Sequence, residues 1–577
     1  MEIIKHRQKI LLCILLLAAI LRTWSLGSGD TLSDEVLYSF RAIGMLDFDE
    51  AADQTTPLEW FDPYIPAWTK LSFHDHPPLV FFIQHIFMSI FGETLFAFRL
   101  PSTLLGIASV YLLYIIGTRL YGRQAGLIAA GLFGTTVNHV VISRLGLQES
   151  YVIFFILLAI YFFLKAETHK KQYIGVGIAV GLGLLTKYTT GILIPIFLTY
   201  MLICRREDFK YRFLWVGTLI SIIIFSPVII YNFKLYQAVG HFDFQLSFIV
   251  GQNPEVWGVQ PGKEEFPSLI SRAAAFFPNL FNFNSWVFLA LFAGSSVTFF
   301  VSLAKNIKET IRRHIFLLII LFWFALLIIG FIGPSFRFLA MLTPFMALAT
   351  GILVVNVAEV RLPQFVQKSN FRNIITVLSL CLEILYSINS QLLPYPKATE
   401  IWAWSPVRFE NYNWGYHELD EWMREKTEGK MPALAFEQKY HFVSAIHKEA
   451  LAKAERNGKQ PMSALFVYDK NINSIAQLWI MDRLQIYHAW PIITADTYIQ
   501  FLNEKGADYF DRMGFQEIYY IFPTEKVPWK KPPHVTDTGG KLEEALTKNK
   551  LQPAIILENK RGEQAFRIYR NDIKPAP

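Results

Sequence analysis

Apolar residues along the chain gather into runs of about 17–22 positions, the length needed to cross a hydrocarbon layer some 30 Å thick. Short charged clusters separate them. The pattern predicts membrane helices over residues 10–26, 98–118, 124–142, 149–165, 173–186, 189–204, 213–232, 285–303, 314–332, 338–357 and 374–392. The two segments flanking Lys187 are short and read as a broken pair, and residues 79–91 (LVFFIQHIFMSIF) suit a helix lying in the membrane interface rather than across it. The pattern stops near Leu393. Beyond the prolines at 394 and 396, ELDEWMREK (418–426) reads as an amphipathic helix. ALFVYD (464–469), EIYYIF (517–522) and PAIIL (553–557) read as short buried strands, with a helix capped by Thr494 or Asp496 between them. The expected architecture is a polytopic α-helical membrane protein of about 11 transmembrane helices, residues 1–393, followed by a soluble α/β domain, residues 394–577. No repeat, low-complexity tract or glycine-rich phosphate loop interrupts it.

Composition agrees with this division. Of 577 residues, 53% are hydrophobic and only 18% charged, too few charges to cover a soluble surface of this size. The net charge of +7 does not point to nucleic acid, because the basic residues of the membrane half sit between alternate apolar runs. They fall at Arg119 and Arg123, at Lys165, Lys170 and Lys171, at Arg205, Arg206, Lys210 and Arg212, at Lys305, Lys308, Arg312 and Arg313, and at Arg361, Lys368 and Arg372. With Lys5, Arg7 and Lys9 they define a basic cytoplasmic side, which puts the C-terminal domain outside. The first apolar run lacks a small-x-small cleavage site and is expected to stay as a membrane helix. Cys13, Cys204 and Cys381 all lie in predicted helices, so no disulfide framework is expected. Two outer loops are long: residues 27–96, rich in acids, and residues 233–284, rich in aromatics and carrying Pro254, Trp257 and Pro261.

Three sets of residues carry chemistry. Asp34 and Glu35, in TLSDEVLYSFRA, follow the first span, where a carboxylate can meet an amphiphilic donor and a water-soluble acceptor and take a hydroxyl proton. Solvated loop acids that cap a helix would look the same. His74, Asp75 and His76 precede two prolines; two imidazoles and a carboxylate this close could bind a divalent metal or simply sit at headgroup level. Arg144, Glu149, Lys187 and Arg337 lie at or near outer helix ends. Charge at that depth usually marks a site, here one able to hold a lipid phosphate, although single basic residues also snorkel to headgroups.

The ordered pieces DEVLY, DHPPLVFFIQHIFMSIFGETLFAFRLPSTLLGIASVYLLYIIGTRLYGRQAGLIAAGLF, SRLGLQESYVIFFILLAIYFFL and LGLLTKYTTGILIP span Asp34 to Lys187. Together they resemble the protein O-mannosyltransferase and aminoarabinose-transferase group of the glycosyltransferase-C (GT-C) superfamily. The resemblance implies inverting transfer of a sugar from a polyprenyl-phosphate donor to a hydroxyl of a protein, lipid or glycan, at the outer face of a prokaryotic plasma membrane. It implies Asp34 as catalytic base, with Glu35 and Tyr38 in support, and places Asp75 at the acid before the double proline. Aminoarabinose transferases have Glu followed by Lys there, whereas this chain has Asp followed by His76. Arg144, Glu149 and Lys187 fall at polar positions tied to the site and the lipid phosphate, and Arg337 resembles a late outer-loop arginine. A metal near the pre-proline acid, with His241 as distant partner, is a further implication. The lumenal β-trefoil insertion of eukaryotic members has no counterpart here.

A transporter or lipid flippase is the main alternative. It would call for paired repeats, broken helices or charges in mid-span. The acids instead concentrate in one loop. A non-catalytic receptor or scaffold, with the outer domain as its working part, is a third reading.

Overall fold

The computed structural model describes residues 2–573, with 32, 49–54, 258–265, 358–367, 408–412, 439 and 533 excepted; of residues 2–7, 357 and 368–371 only the backbone is described. Arg361 and Pro261 of the sequence reading lie outside the described residues. Helices that bear on the site or the membrane unit are, in chain order, α1 (Glu2–Thr23), α2 (Glu35–Gly44), α3 (Leu79–Phe91), α4 (Leu95–Tyr121), α5 (Arg123–Thr135), α6 (Val137–Arg144), α7 (Glu149–Lys165), α8 (Tyr173–Thr186), α9 (Leu193–Cys204), α10 (Arg212–Val239), α11 (Phe244–Ile249), α12 (Leu269–Asn282), α13 (Trp286–Lys305), α14 (Ile307–Leu327), α15 (Thr343–Val357), α16 (Lys368–Ser387) and α17 (Tyr416–Thr427). A helix stands at every position where an apolar run predicted one.

The protein is an integral membrane protein, mostly helical, with a sheet-containing C-terminal region. Among the described residues, five helices are individually long and apolar enough to cross a membrane, or six if the bent pair α5–α6 forms one span. That pair turns by 59° at Thr136. The apolar stretch around Lys187 breaks as its length suggested. Helix α8 ends at Thr186, Lys187 takes an extended conformation (φ −163°), and a 3-10 turn over Tyr188–Ile192 leads into α9.

Packing divides the chain into two units. One comprises Met1–Gly27, Met45–Trp60 and Pro66–Arg408; the other comprises Ser28–Gly44, Phe61–Ile65 and Phe409–Pro577. In the first unit, α8 and α10 pack backbone to backbone. A Cβ added at Gly177 would stand 1.9 Å from the Gly217 carbonyl oxygen, and one added at Gly217 would stand 2.1 Å from that of Tyr173. Without a solvent-driven hydrophobic term between helices in lipid, such close approach through small residues is what joins them.

The second unit is built on a five-stranded sheet ordered β4-β3-β5-β7-β6, with β3 (Ala464–Tyr468), β4 (Ile492–Thr494), β5 (Glu517–Pro523), β6 (Pro553–Glu558) and β7 (Gln564–Asp572). A separate parallel pair joins β1 (Lys430–Pro432) to β2 (Gln460–Met462). Strands β4, β3 and β5 run parallel, and β7 pairs antiparallel with β5 in the register Tyr520 to Tyr569. Every residue of β3 is buried, as expected of a parallel strand covered on both faces. The helix after β4 is capped by the Thr494 side chain, which accepts from the Thr497 amide at 3.1 Å.

The glycine contact gives a test of the helix packing. Gly177→Ala is expected to force α8 and α10 apart and to destabilise the membrane unit by roughly 1–3 kcal/mol, lowering its melting temperature in detergent. Gly92→Ala, where an added Cβ meets nothing within 4 Å but φ is +81°, offers a comparison in which only backbone strain acts. An unchanged melting temperature for Gly177→Ala would contradict the packing described.

Candidate active site

Helix α2 begins where the backbone carbonyls of Ser33 and Asp34 accept from the amides of Val36 (3.0 Å) and Tyr38 (3.3 Å). The two acids at its head part company in environment. Asp34 is exposed, whereas Glu35 is fully buried, as are Phe40 and Arg41, and Tyr38 is nearly so. An exposed carboxylate therefore stands beside one that is locked into the fold. Both acids belong by packing to the unit that contains the sheet.

The His74-Asp75-His76 stretch lies in the membrane unit, ahead of α3. Asp47 meets it from the first long loop: one carboxylate oxygen accepts from the His74 amide and the other lies on His74 Nδ1, each at 2.8 Å. Asp47, His74 and Asp75 are all buried and offer one ligand atom each within 4.8 Å of one another. Two carboxylates and an imidazole form a donor set suited to a divalent ion such as zinc or manganese. His76 faces Asp75 instead, Nδ1 to Oδ2 at 3.0 Å. His241 packs its ring 5.3 Å from both Trp60 and Trp257 and lies outside the three-residue group.

The second long loop docks on the same stretch. The Phe244 amide donates to the His74 carbonyl at 2.7 Å, and Gln245 Nε2 to the Asp75 carbonyl at 2.8 Å. Asp243 holds α11 in that pose. It accepts from the Leu246 amide, from Asn232 Nδ2 at 2.7 Å and from the Tyr188 hydroxyl.

Among the charged residues of the helices, Glu149, Lys187 and Arg337 come together. Lys187 Nζ lies 2.6 Å and Arg337 Nε 3.3 Å from the same Glu149 oxygen. Glu149 is buried, Lys187 nearly so, and Arg337 is the most exposed at 17% of its side chain. Lys187 also lies 5.0 Å from the Phe338 ring centroid. One carboxylate thus organises two cations, which leaves the trio with one positive charge in surplus.

Arg144 is placed elsewhere. Its Nη1 donates to the carbonyls of Leu21 (3.0 Å), Arg22 (3.3 Å) and Trp24 (2.8 Å), where α1 ends. Arg22 and Arg99 serve the same region. Arg22 donates to the carbonyls of Ala18 and Gly134 and to Ser143 Oγ, and Arg99 donates to the Leu26 carbonyl.

Asp47, Arg22, Arg99, Asn232 and Asp243 were not singled out from sequence. The acidic run around Asp47 was the one available signal, since it marks the loop but not which acid turns inward.

Residues 75–231 match a family model described as dolichyl-phosphate-mannose-protein mannosyltransferase. Among curated relatives, a putative mannosyltransferase, YkcB, of Bacillus subtilis is 28% identical over 211 residues, 35% of this chain and 27% of that protein. An undecaprenyl phosphate-alpha-4-amino-4-deoxy-L-arabinose arabinosyl transferase of Pseudomonas fluorescens is 28% identical over 171 residues, 28% of this chain and 29% of that protein. The membrane half resembles the GT-C glycosyltransferases. The matched stretch contains Asp75, His76, Arg144, Glu149 and Lys187, and spans little more than a quarter of the length of those relatives. The solved structure of ArnT from Cupriavidus metallidurans bound to undecaprenyl phosphate aligns over 98% of both chains at 11% identity and a TM-score of 0.48.

A pH dependence follows from the loop before α2. Burial raises the Asp30 carboxyl from 3.8 to about 7, against two backbone hydrogen bonds and Lys560, with Glu418 adding to the rise. The folded chain then keeps a proton that the unfolded chain releases above about pH 4, so this group's stabilising contribution is complete below that pH and is lost as pH climbs to about 7. Asp30→Asn removes the titration. Its melting temperature relative to the parent protein is expected to rise between about pH 5 and pH 8; a flat or falling difference would contradict the shift.

Proposed function

We propose that the chain is an inverting glycosyltransferase that takes a sugar from a polyprenyl-phosphate donor and delivers it to a hydroxyl of a protein, lipid or glycan at the outer face of a prokaryotic plasma membrane. The fuller topology, with eleven spans and the sheet-containing unit outside the cytoplasm, belongs to the same proposal. The Glu149–Lys187–Arg337 trio carries it. Two cations gathered on one buried carboxylate suit a lipid phosphate, whose charge grows as the glycosidic bond breaks.

In the reaction the acceptor oxygen attacks the anomeric carbon while Asp34 takes its proton. The bond from that carbon to the phosphate oxygen breaks, and its electron pair leaves with the phosphate. A single displacement inverts the anomeric configuration, and because phosphate leaves as a stable anion no strong general acid is needed. Lys187 and Arg337 hold the departing charge, whereas Arg144, engaged with the end of α1, supports the helix that leads to the acidic loop. An apolar cavity of about 430 Å³ between α8, α9 and α10 suits a prenyl chain, and its wall residue Leu184 lies near the end of α8, three residues before Lys187.

A divalent cation fits the same reading. Asp47, His74 and Asp75 would hold it, with His76 and His241 beside them rather than among the ligands. When bound it would supply positive charge near phosphate oxygens.

Two variants separate the roles. With undecaprenyl-phosphate mannose and undecaprenyl-phosphate 4-amino-4-deoxy-L-arabinose as donors, Asp34→Asn is expected to insert and fold but to lose transfer by about 10²–10⁴-fold in kcat. Arg337→Gln is expected mainly to raise the donor KM, by about tenfold or more, because it removes one charged partner of the phosphate while Lys187 still neutralises Glu149. Full transfer by Asp34→Asn would refute its assignment as base.

The metal proposal has its own readout. Calorimetric titration of chelator-treated protein with zinc or manganese should show one site, and Asp47→Ala together with His74→Ala should abolish it. Undiminished binding by the double variant would remove the ion from these residues.

A further inference from the structure

Asp34 immediately precedes a short helix, α2, that does not pack as part of the membrane unit. Residues Ser28–Gly44 group with Phe409–Pro577, and specific contacts hold that segment on both sides of the Asp34–Glu35 pair.

On the N-terminal side, Asp30 is fully buried, and its two carboxylate oxygens accept from the Trp414 amide at 2.5 Å and the His417 amide at 2.9 Å. These amides lie at the start of α17, where backbone N–H groups have no partner within the helix. The loop that offers them is itself fixed: Asn413 Nδ2 donates to both Glu418 oxygens, and Asn413 Oδ1 accepts from the Lys560 amide.

On the C-terminal side, the Tyr487 hydroxyl donates to the Phe40 carbonyl of α2 at 2.8 Å, with ring centroids 5.0 Å apart. Gly44, the last residue of α2, lies against the same ring; a Cβ there would come within 2.5 Å of Tyr487 Cε1. The two grips meet in one helix. Asp420 of α17 accepts from Arg483 Nη2 at 2.9 Å and from Trp479 Nε1 at 3.2 Å, and Arg483 begins the helical turn that carries Tyr487. A closed circuit therefore runs from Asp30 through α17, Asp420 and Arg483 to Tyr487, and back through Phe40 to α2.

We propose that Asp30 and Tyr487 are positioning residues for the Asp34–Glu35 pair, so that the C-terminal fold sets the aim of the base. The proposal rests on the reading of Asp34 as the catalytic base. A general base acts only when its oxygen lies within hydrogen-bond reach of the acceptor proton, and a displacement of about 1 Å can cost on the order of 10²-fold in rate. Neither Asp30 nor Tyr487 needs to touch substrate for its loss to be felt in kcat.

The test compares Asp30→Asn, Tyr487→Phe and Asp34→Asn in the full-length protein, with undecaprenyl-phosphate mannose and undecaprenyl-phosphate 4-amino-4-deoxy-L-arabinose as donors. Tyr487→Phe keeps the ring and removes one hydroxyl, so it reports even where Asp30→Asn folds poorly. Both positioning variants are expected to lower kcat by about 10–100-fold with the donor KM changed by less than about threefold, and to speed hydrogen exchange of the amides of residues 33–44. A kcat within about twofold of the parent in Tyr487→Phe and in folded Asp30→Asn, with Asp34→Asn inactive, would overturn the positioning roles and leave the base in place. Transfer retained by Asp34→Asn would overturn both.

Discussion

Where α1 ends, a helix must give up backbone carbonyls in surroundings that offer little water, and everything downstream depends on how those carbonyls are met. The last four carbonyls of any helix lack partners within it. Leaving them bare in an apolar layer costs several kcal/mol each. Here buried arginines meet carbonyls in and beyond this last turn: Arg144 at Leu21, Arg22 and Trp24, and Arg99 at Leu26. A guanidinium suits the task because its donors form a planar fork that can serve two or three oxygens at once. The acidic loop begins within a few residues of this end.

The same physics explains how much of the structure the sequence made legible. Apolar length translates directly into helices in a membrane protein, since backbone groups in lipid must be satisfied within the segment. Helices accordingly appear at every predicted position, and α3 matches residues 79–91 at both ends. The break at Lys187 was legible for a related reason, because neither flanking run is long enough to be a comfortable span. In the C-terminal region the ALFVYD and EIYYIF runs are buried strands as expected, whereas the PAIIL run forms β6, which alternates half-buried with exposed residues and is not a buried strand. Strand β7, whose buried Ala565, Phe566, Ile568 and Tyr569 are interleaved with and followed by polar and charged residues, and the helix His441–Arg456, rich in charge, did not stand out by apolarity alone.

Side-chain partnerships were far less legible. Arg144, Lys187 and Arg337 look alike in sequence, as basic residues near predicted helix ends. Only the fold shows that Arg144 serves carbonyls while Lys187 and Arg337 share Glu149. Asp47 could not be chosen from its acidic neighbours, because its distinction is a meeting with His74 across 27 positions of chain. Composition draws a boundary near Pro394, where the apolar runs end. Packing places Ser28–Gly44 with the C-terminal residues, and no local pattern announces such a long-range association.

If Asp34 is the base proposed above, the asymmetry between Asp34 and Glu35 has a physical reason. A catalytic carboxylate needs reach toward an acceptor, so it cannot be enclosed; it also needs a fixed aim, which a solvated loop acid lacks. Placing the exposed acid just ahead of a fully buried one that opens a ten-residue helix meets both demands, provided something rigid holds the helix. An isolated helix of that length is marginal in water, so its order must come from tertiary contacts. The buried Asp30 and the Tyr487 ring and hydroxyl supply such contacts at its two ends. Anchored this way, the segment stays part of the folded unit that holds the sheet while the Asp34 side chain remains exposed.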